Sequence, residues 1–297
     1  MNSTFVSQAA ANPVIGYLDS VGTASVLYLE SLWARYYAWV GSDFLATGLL
    51  FLVIHEVVYF GRSLPWYILD RTKILKNYKI QDKEIPDSEQ LQCLKDVLIS
   101  HFVIEAIPIF GFQPICNIVG IDYSANFPAL KYFLIQITAF FFMEDTWHYW
   151  FHRLLHYGPF YKHIHKQHHK YAAPFGLTAE YAHPIEVAVT GLGTVGSPLL
   201  WSYFFGHVHL VTVITWVVLR LFQAIDAHSG YEFPWSLHHF FPIWAGADHH
   251  DDHHKFFVGN YSSSFRHWDY VLGTETPSTA RKHTFLKNTS VLDKKKK

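Results

Sequence analysis

The sequence predicts an all-α protein, a polytopic membrane bundle of helices carrying a histidine-rich cap on its cytosolic face. Three observations predict it. Half of the 297 residues are hydrophobic and 18% are aromatic, while only 16% are charged, against roughly 25% in soluble domains. Several apolar runs come near the about 20 residues that cross a bilayer at a rise of about 1.5 Å per residue. Histidine is in excess, with 21 present and most of them in the second half of the chain.

Charge and cysteine exclude other classes. A formal net charge of -1 offers no basic field to draw the chain onto nucleic acid. Cys93 and Cys116 sit in no C-x-x-C pair, so a disulfide framework and a thiolate metal site are not expected, and both read as buried thiols.

In chain order, the first 20 residues carry one charge, Asp19, and lack the pattern of a cleaved secretory signal. Residues 22–41 are rich in aromatics (Tyr28, Trp33, Tyr36, Tyr37, Trp39) and are interrupted by Glu30 and Arg35, which suits an interfacial helix. Residues 44–60 form the first span, in which His55 and Glu56 must face protein rather than lipid. Further apolar runs cover about 97–118, 129–143, 185–205 and 208–225, the last two a hairpin across Gly206 and His207, which makes four or five spans. Arg71, Lys73, Lys76 and Lys79 mark the loop after the first span as cytosolic under the positive-inside rule. The amino terminus is then lumenal, and every histidine-rich segment falls on the cytosolic side. The domain organisation that follows is 1–43 as lumenal terminus and interfacial helix, 44–275 as the membrane-embedded domain, and 276–297 as a cytosolic tail.

Three histidine boxes carry the chemistry. His148 and His152 stand four apart, on one face of a helix. His165, His168 and His169 form an H-x-x-H-H pattern, and His250, His253 and His254 repeat it. Eight histidines exceed the four ligands of a single zinc, and burying them without metal would be costly, so two metals are inferred. Nitrogen ligation suits iron, zinc or copper. Glu144, Asp145, Asp251 and Asp252 are placed to accept the free ring N–H of ligating histidines. His228 follows the last span and is a ninth candidate ligand; His183, His249 and His156 are weaker ones. His101, His163, His207, His209, His238, His239, His267 and His283 read as structural or interfacial.

These boxes, in this order and spacing, resemble the fatty acid hydroxylase/sterol desaturase superfamily. The segments E-D-T-W-H-Y from Glu144, A-P-F-G from Ala173, A-E-Y-A-H-P from Ala179, D-A-H-S-G-Y from Asp226 and H-H-D-D-H-H from His249 look like the C-4 methylsterol oxidases, over roughly residues 45–275. The resemblance implies two irons held by His148, His152, His165, His168, His169, His250, His253 and His254, with His228 as an additional metal ligand. One departure is Glu232, where fatty acid hydroxylases carry a further histidine; it leaves open whether His228, His183 or Glu232 completes the second metal. The implied activity is oxygen-dependent, stepwise oxidation of a sterol C-4 methyl group to the carboxylate. Electrons would come from NAD(P)H through a reductase and cytochrome b5, whose acidic surface could meet Lys162, Lys166, Lys170 and Lys255. The sterol would enter from the membrane into an apolar slot that Trp147, Phe175, Trp216 or Phe222 could line, and downstream sterol C-4 decarboxylation enzymes would be partners. Rival readings are a sterol C-5 desaturase, a fatty acid hydroxylase and a histidine-rich metal transporter or haem-binding protein; transport would put polar ligands near mid-span rather than at one end. Lys294 to Lys297 resemble a di-lysine endoplasmic-reticulum retrieval signal, and a cytosolic carboxyl half would leave the sequons at Asn260 and Asn288 unglycosylated.

Overall fold

The computed structural model describes residues 13–279; His283, Asn288 and Lys294 to Lys297 lie outside the described residues. Helix α1 is Pro13–Val40 and α2 is Asp43–Thr72. Helix α3 (Asp87–Ile99) runs through a π turn at Ser100–Glu105 into α4 (Ala106–Val119). Then come α5 (Leu130–Leu155), α6 (Gly158–His163), α7 (Pro184–Phe205), α8 (Leu210–Ala227), α9 (Ala247–Phe256) and α10 (His267–Leu272). Among the described residues no strand forms, only isolated bridges, so the all-α class holds.

Every apolar run anticipated from the sequence is helical, but they differ in their fitness for lipid. Among the described residues, three helices can cross a membrane by length and composition: Asp43–Thr72, Asp87–Val119 and Leu210–Ala227. Helix α5 falls outside that set because its second half carries Glu144, Asp145 and Arg153, and α7 because Gly191, Gly193, Gly196, Ser197 and Ser202 dilute its apolar residues. The chain is a membrane protein turned apolar side out, with Val53, Val57, Ile107, Ile118 and Leu134 exposed on the helices. Cys93 and Cys116 are buried free thiols, as the sequence predicts.

Two ends of the bundle are fixed by loop contacts. At one, Leu210 N–H donates to Asp122 O at 2.7 Å, Gln136 Nε2 to His207 O at 2.9 Å, and Trp33 Nε1 of α1 to Tyr123 O at 2.9 Å. His209 caps α8 there, accepting from Val211 N–H at 3.0 Å. At the other end, Ile80 N–H donates to Gly230 O and Glu232 N–H to Tyr78 O, both at 2.9 Å, tying the loop after α2 to the segment after α8. The elements that carry the three histidine boxes and His228 gather at this second end.

Helix α5 carries the first histidine box and is set by its packing on α7. A Cβ at Gly193 would come within 2.5 Å of Trp147 Cδ1. That indole cannot yield, since its Nε1 donates to Val189 O at 2.8 Å and its ring stacks on Phe151 at 4.1 Å. Gly193→Val is expected to destabilise the protein by about 1–3 kcal/mol through overpacking, read as a lowered Tm of the purified protein in detergent.

Candidate metal centre

Among the described residues, nine imidazoles converge in two adjoining groups. His152, His156, His165, His169 and His253 form the first, and His168, His228, His250 and His254 the second. In the first, Nε2 of His165 lies 3.1 Å from that of His152, 2.9 Å from that of His156 and 3.0 Å from that of His169, and His253 Nε2 lies 3.1 Å from that of His169. In the second, His228 Nε2 is 3.3 Å from that of His168 and 2.9 Å from that of His250, which is 3.1 Å from that of His254. The His169 and His254 rings, one from each group, are 4.8 Å apart.

Local structure explains the split. On α9, His250 and His254 lie one turn apart and share a group, while His253 points to the other. His165–Lys170 is a tight 3₁₀ segment rather than an α-helix, and it sends His165 and His169 to one group and His168 to the next. Each H-x-x-H-H box therefore spans both groups instead of stacking its histidines along one face. His228 ends α8, where its Nδ1 donates to Ala224 O at 2.8 Å.

Six of the nine rings, His228 among them, are aimed by fixed acceptors on their far side. Nδ1 of His152 donates to Tyr261 O at 2.8 Å, that of His253 to Gly259 O at 2.7 Å, that of His168 to Tyr181 O and that of His254 to Tyr171 O, both at 3.2 Å. His165 Nδ1 donates to Glu186 Oε1 at 2.7 Å. A neutral imidazole that spends its proton at Nδ1 presents a bare lone pair at Nε2. Burial, reinforced by repulsion from neighbouring imidazoles, pushes His165, His168, His250, His253 and His254 far below the usual histidine range, so they stand neutral at pH 7. Lone pairs about 3 Å apart with no proton between them repel, and a metal cation at the centre of each group turns that repulsion into ligation. The residues fit two metal ions.

The structure redistributes several expected roles. His148 belongs to neither group: its ring is 5.1 Å from that of His152 and its Nδ1 3.6 Å from Glu144. His156, the residue that ends α5, takes part in the first group instead. The sequence carries His148, His152 and His156 at equal spacings of four, which cannot say which pair converges. None of the four acidic residues expected to orient the ligands accepts from a converging imidazole. Glu144 pairs with Arg220 at 2.9 Å, and Asp145 Oδ1 accepts from the backbone N–H groups of Ser263, Ser264 and Phe265. Asp251 accepts from Gln81 at 2.8 Å and Asp252 from the Ser278 hydroxyl. Backbone carbonyls do that work, with Glu186, which sequence reasoning missed; its position two residues after the A-E-Y-A-H-P segment is the signal that was available. His183 caps α7, accepting from Ile185 N–H at 3.2 Å, and Glu232 turns to His239 at 2.9 Å; neither joins the second group. Asn260 is fully buried, donating to His249 O at 2.8 Å.

Gly259 shows why the loop after α9 is shaped as it is. Its φ is +81°, and a Cβ there would lie 2.7 Å from Thr274 O, so only glycine brings this carbonyl to His253. Asp269 of α10 holds the same loop, accepting from Tyr261 N–H at 2.9 Å and Ser262 N–H at 2.8 Å. Burial alone would raise its carboxyl, but His249, Thr274 and the Ser262 amide outweigh that and hold it at about 2. A depressed carboxyl stabilises the fold above its unfolded value, so this contribution of about 2 kcal/mol is complete above about pH 4 and fades as pH falls towards 2. Asp269→Ala is expected to cost about 2 kcal/mol or more by orphaning those amides, and to loosen His152 through the Tyr261 carbonyl. A thermal melt together with metal retention after dialysis reads both effects.

Two clefts open beside the centre. One, of about 380 Å³, is lined by residues that include Lys73, Lys76, Lys79, Gln81 and Asp251. The other is lined by Lys162, Lys166 and Lys170 among others. Charged side chains line both, so neither is the apolar slot anticipated for a sterol. Trp216 is fully buried against Phe140 and Phe141, and Phe175 is buried against Tyr171, which makes both core residues.

The family model for fatty acid hydroxylases matches residues 137–274, from mid-α5 past α10. A C-4 methylsterol oxidase of Candida albicans is 58% identical over 95% of this chain and 89% of its own length. Methylsterol monooxygenase erg25B of Aspergillus fumigatus is 55% identical over 95% of this chain and 96% of its own. Methylsterol monooxygenase 1 of Rattus norvegicus is 39% identical over 82% of this chain and 81% of its own. No solved structure matches. With such identity sustained across nearly the whole chain, and the histidine groups inside the matched region, the chain belongs to the methylsterol monooxygenase (C-4 methylsterol oxidase) family of oxidoreductases.

Proposed function

We propose that the protein is a non-haem di-iron monooxygenase that oxidises the C-4 methyl group of 4,4-dimethyl and 4-methyl sterols, in steps, to the alcohol, the aldehyde and the carboxylate. The observation that carries this reading is the pair of adjoining groups of inward-facing Nε2 atoms at one end of an apolar bundle. Two bound irons would supply the dioxygen activation that no side chain offers. The chain's own part is to hold the ligating rings through the carbonyls of Tyr171, Tyr181, Ala224, Gly259 and Tyr261 and through Glu186, and to keep the centre buried from water.

Electrons would arrive from NAD(P)H through a reductase and cytochrome b5. Lys162, Lys166 and Lys170 line one cleft beside the His165–Lys170 segment, which suits an acidic carrier. The loop bearing Arg71, Lys73, Lys76 and Lys79 lies at the histidine end, in keeping with a cytosolic centre in an endoplasmic-reticulum membrane. The buried Asn260 suits a sequon that is never glycosylated. The carboxylate product calls for an enzyme that removes it by decarboxylation.

The test is turnover of 4,4-dimethylsterol by purified, iron-loaded protein with cytochrome b5, its reductase and NADH. The expected product is the 4-carboxysterol. No product from protein that holds two irons would overturn the substrate assignment in favour of C-5 desaturation or acyl-chain hydroxylation.

A further inference from the structure

We propose that His55, His101, Glu105 and Glu180 form a separate site for one divalent first-row transition cation, with Glu56 orienting both of its imidazoles. It goes beyond the oxidation chemistry and involves none of the nine converging histidines. Four ligand atoms from these residues lie within 4.8 Å of one another. They come from α2 (His55), the π turn (His101 and Glu105) and the turn at Gly176–Glu180 (Glu180).

The arrangement repeats the logic of the histidine groups. Nδ1 of His55 lies 3.2 Å from Glu56 Oε1, and Nδ1 of His101 lies 3.1 Å from the same oxygen. One carboxylate thus takes the N–H of both rings and leaves both Nε2 atoms facing Glu180 and Glu105, the partner arrangement that fixes metal-ligating histidines. His55 Nε2 is then 3.3 Å from Glu180 Oε1 and 3.9 Å from Glu105 Oε2. His101 Nε2 is 3.0 Å from Glu180 Oε2, yet the two atoms are out of line for a hydrogen bond and neither has another partner among the described residues. Two ligands at the tetrahedral angle on a zinc, with bonds of about 2.1 Å, sit about 3.4 Å apart, close to the 3.3 and 3.0 Å that separate the two Nε2 atoms from the Glu180 oxygens. His101 is wholly buried, and the Ser100 hydroxyl occupies the other Glu105 oxygen at 2.8 Å, leaving Oε2 for the centre.

Three carboxylates beside two buried imidazoles, where two apolar helices meet the Gly176–Glu180 turn, need compensating positive charge. Protons on both rings would supply it, but a protonated His101 would donate along Nε2 as well as Nδ1, and the Nε2 geometry does not meet that demand. A mixed set of imidazole and carboxylate, closed at four protein ligands, suits a structural zinc. The ion would clamp α2 and the π turn to the segment whose next residue, Tyr181, orients His168.

The full-length protein in detergent, saturated with iron, is titrated with Zn²⁺, freed of loose metal and analysed for metal per chain by mass spectrometry. One tightly held zinc beyond the iron is expected in the wild type. His101→Gln and Glu105→Gln should each lower zinc retention by at least about tenfold with iron content unchanged. If the histidine groups themselves fill with zinc, the variants still hold one metal fewer than the wild type, so this site and the di-iron reading fail separately. Should the variants not fold, anomalous scattering at the zinc edge from wild-type crystals locates the ion between His101 Nε2 and Glu180 Oε2. No additional zinc in the wild type, variants that retain as much as the wild type, or an anomalous map without that peak would overturn the proposal.

Discussion

His169→Ala is expected to leave the purified chain with one tightly held iron in place of two and with sterol oxidation reduced by more than about 100-fold. His169 Nε2 stands within 3.2 Å of the Nε2 atoms of His156, His165 and His253, and its ring lies 4.8 Å from that of His254 of the second group. Removing it opens the first group on the side that faces the second. Loss of a partner that merely orients a ligand costs about 10–100-fold in affinity or activity, and loss of the ligand itself exceeds that. The second group keeps all four imidazoles, so its metal should remain. Iron content and product formation measured on one preparation check the prediction, and a variant with two irons and wild-type turnover would refute it.

Asp145→Ala is expected to have the largest effect on folding. The Asp145 side chain is fully buried, and Oδ1 accepts from Ser263 N–H at 3.2 Å, Ser264 N–H at 2.7 Å and Phe265 N–H at 3.0 Å. Those amides lead out of the loop that carries Gly259 and Tyr261, whose carbonyls orient His253 and His152. Truncation leaves buried donors without a partner, each costing about 1–3 kcal/mol, so several kcal/mol are lost and little folded protein should be recovered. Asp145→Asn keeps an oxygen acceptor and should retain much of the fold. Yield and Tm of the pair compare the two, and equal stability of both variants would show that the three amides do not depend on Asp145.

The helical class, the apolar runs and the gathering of box histidines were all legible in the sequence, because composition and spacing report apolar helices and clustered imidazoles directly. His55 and Glu56 inside the first apolar run do face protein, as an ionisable pair in a span requires. What spacing could not report was convergence between elements. It could not choose between His148 and His156, each one turn from His152. It could not divide His165, His168 and His169 between two groups, because a 3₁₀ segment turns its side chains differently from an α-helix. Nor could it show that ring orientation falls to backbone carbonyls, which every residue carries and no sequence pattern marks. His101 read as structural because its partners, Glu56 and Glu180, lie 45 and 79 residues away.

The most direct test of the two-group centre is iron per chain in His148→Ala and His156→Ala, prepared side by side with the wild type. On the proposed di-iron centre, the wild type and His148→Ala are expected to hold two irons alike, whereas His156→Ala, which loses a member of the first group, is expected to hold the iron of that group much less tightly. Loss of an iron from His148→Ala with both retained in His156→Ala would contradict it, returning the first group to the His148 and His152 pair.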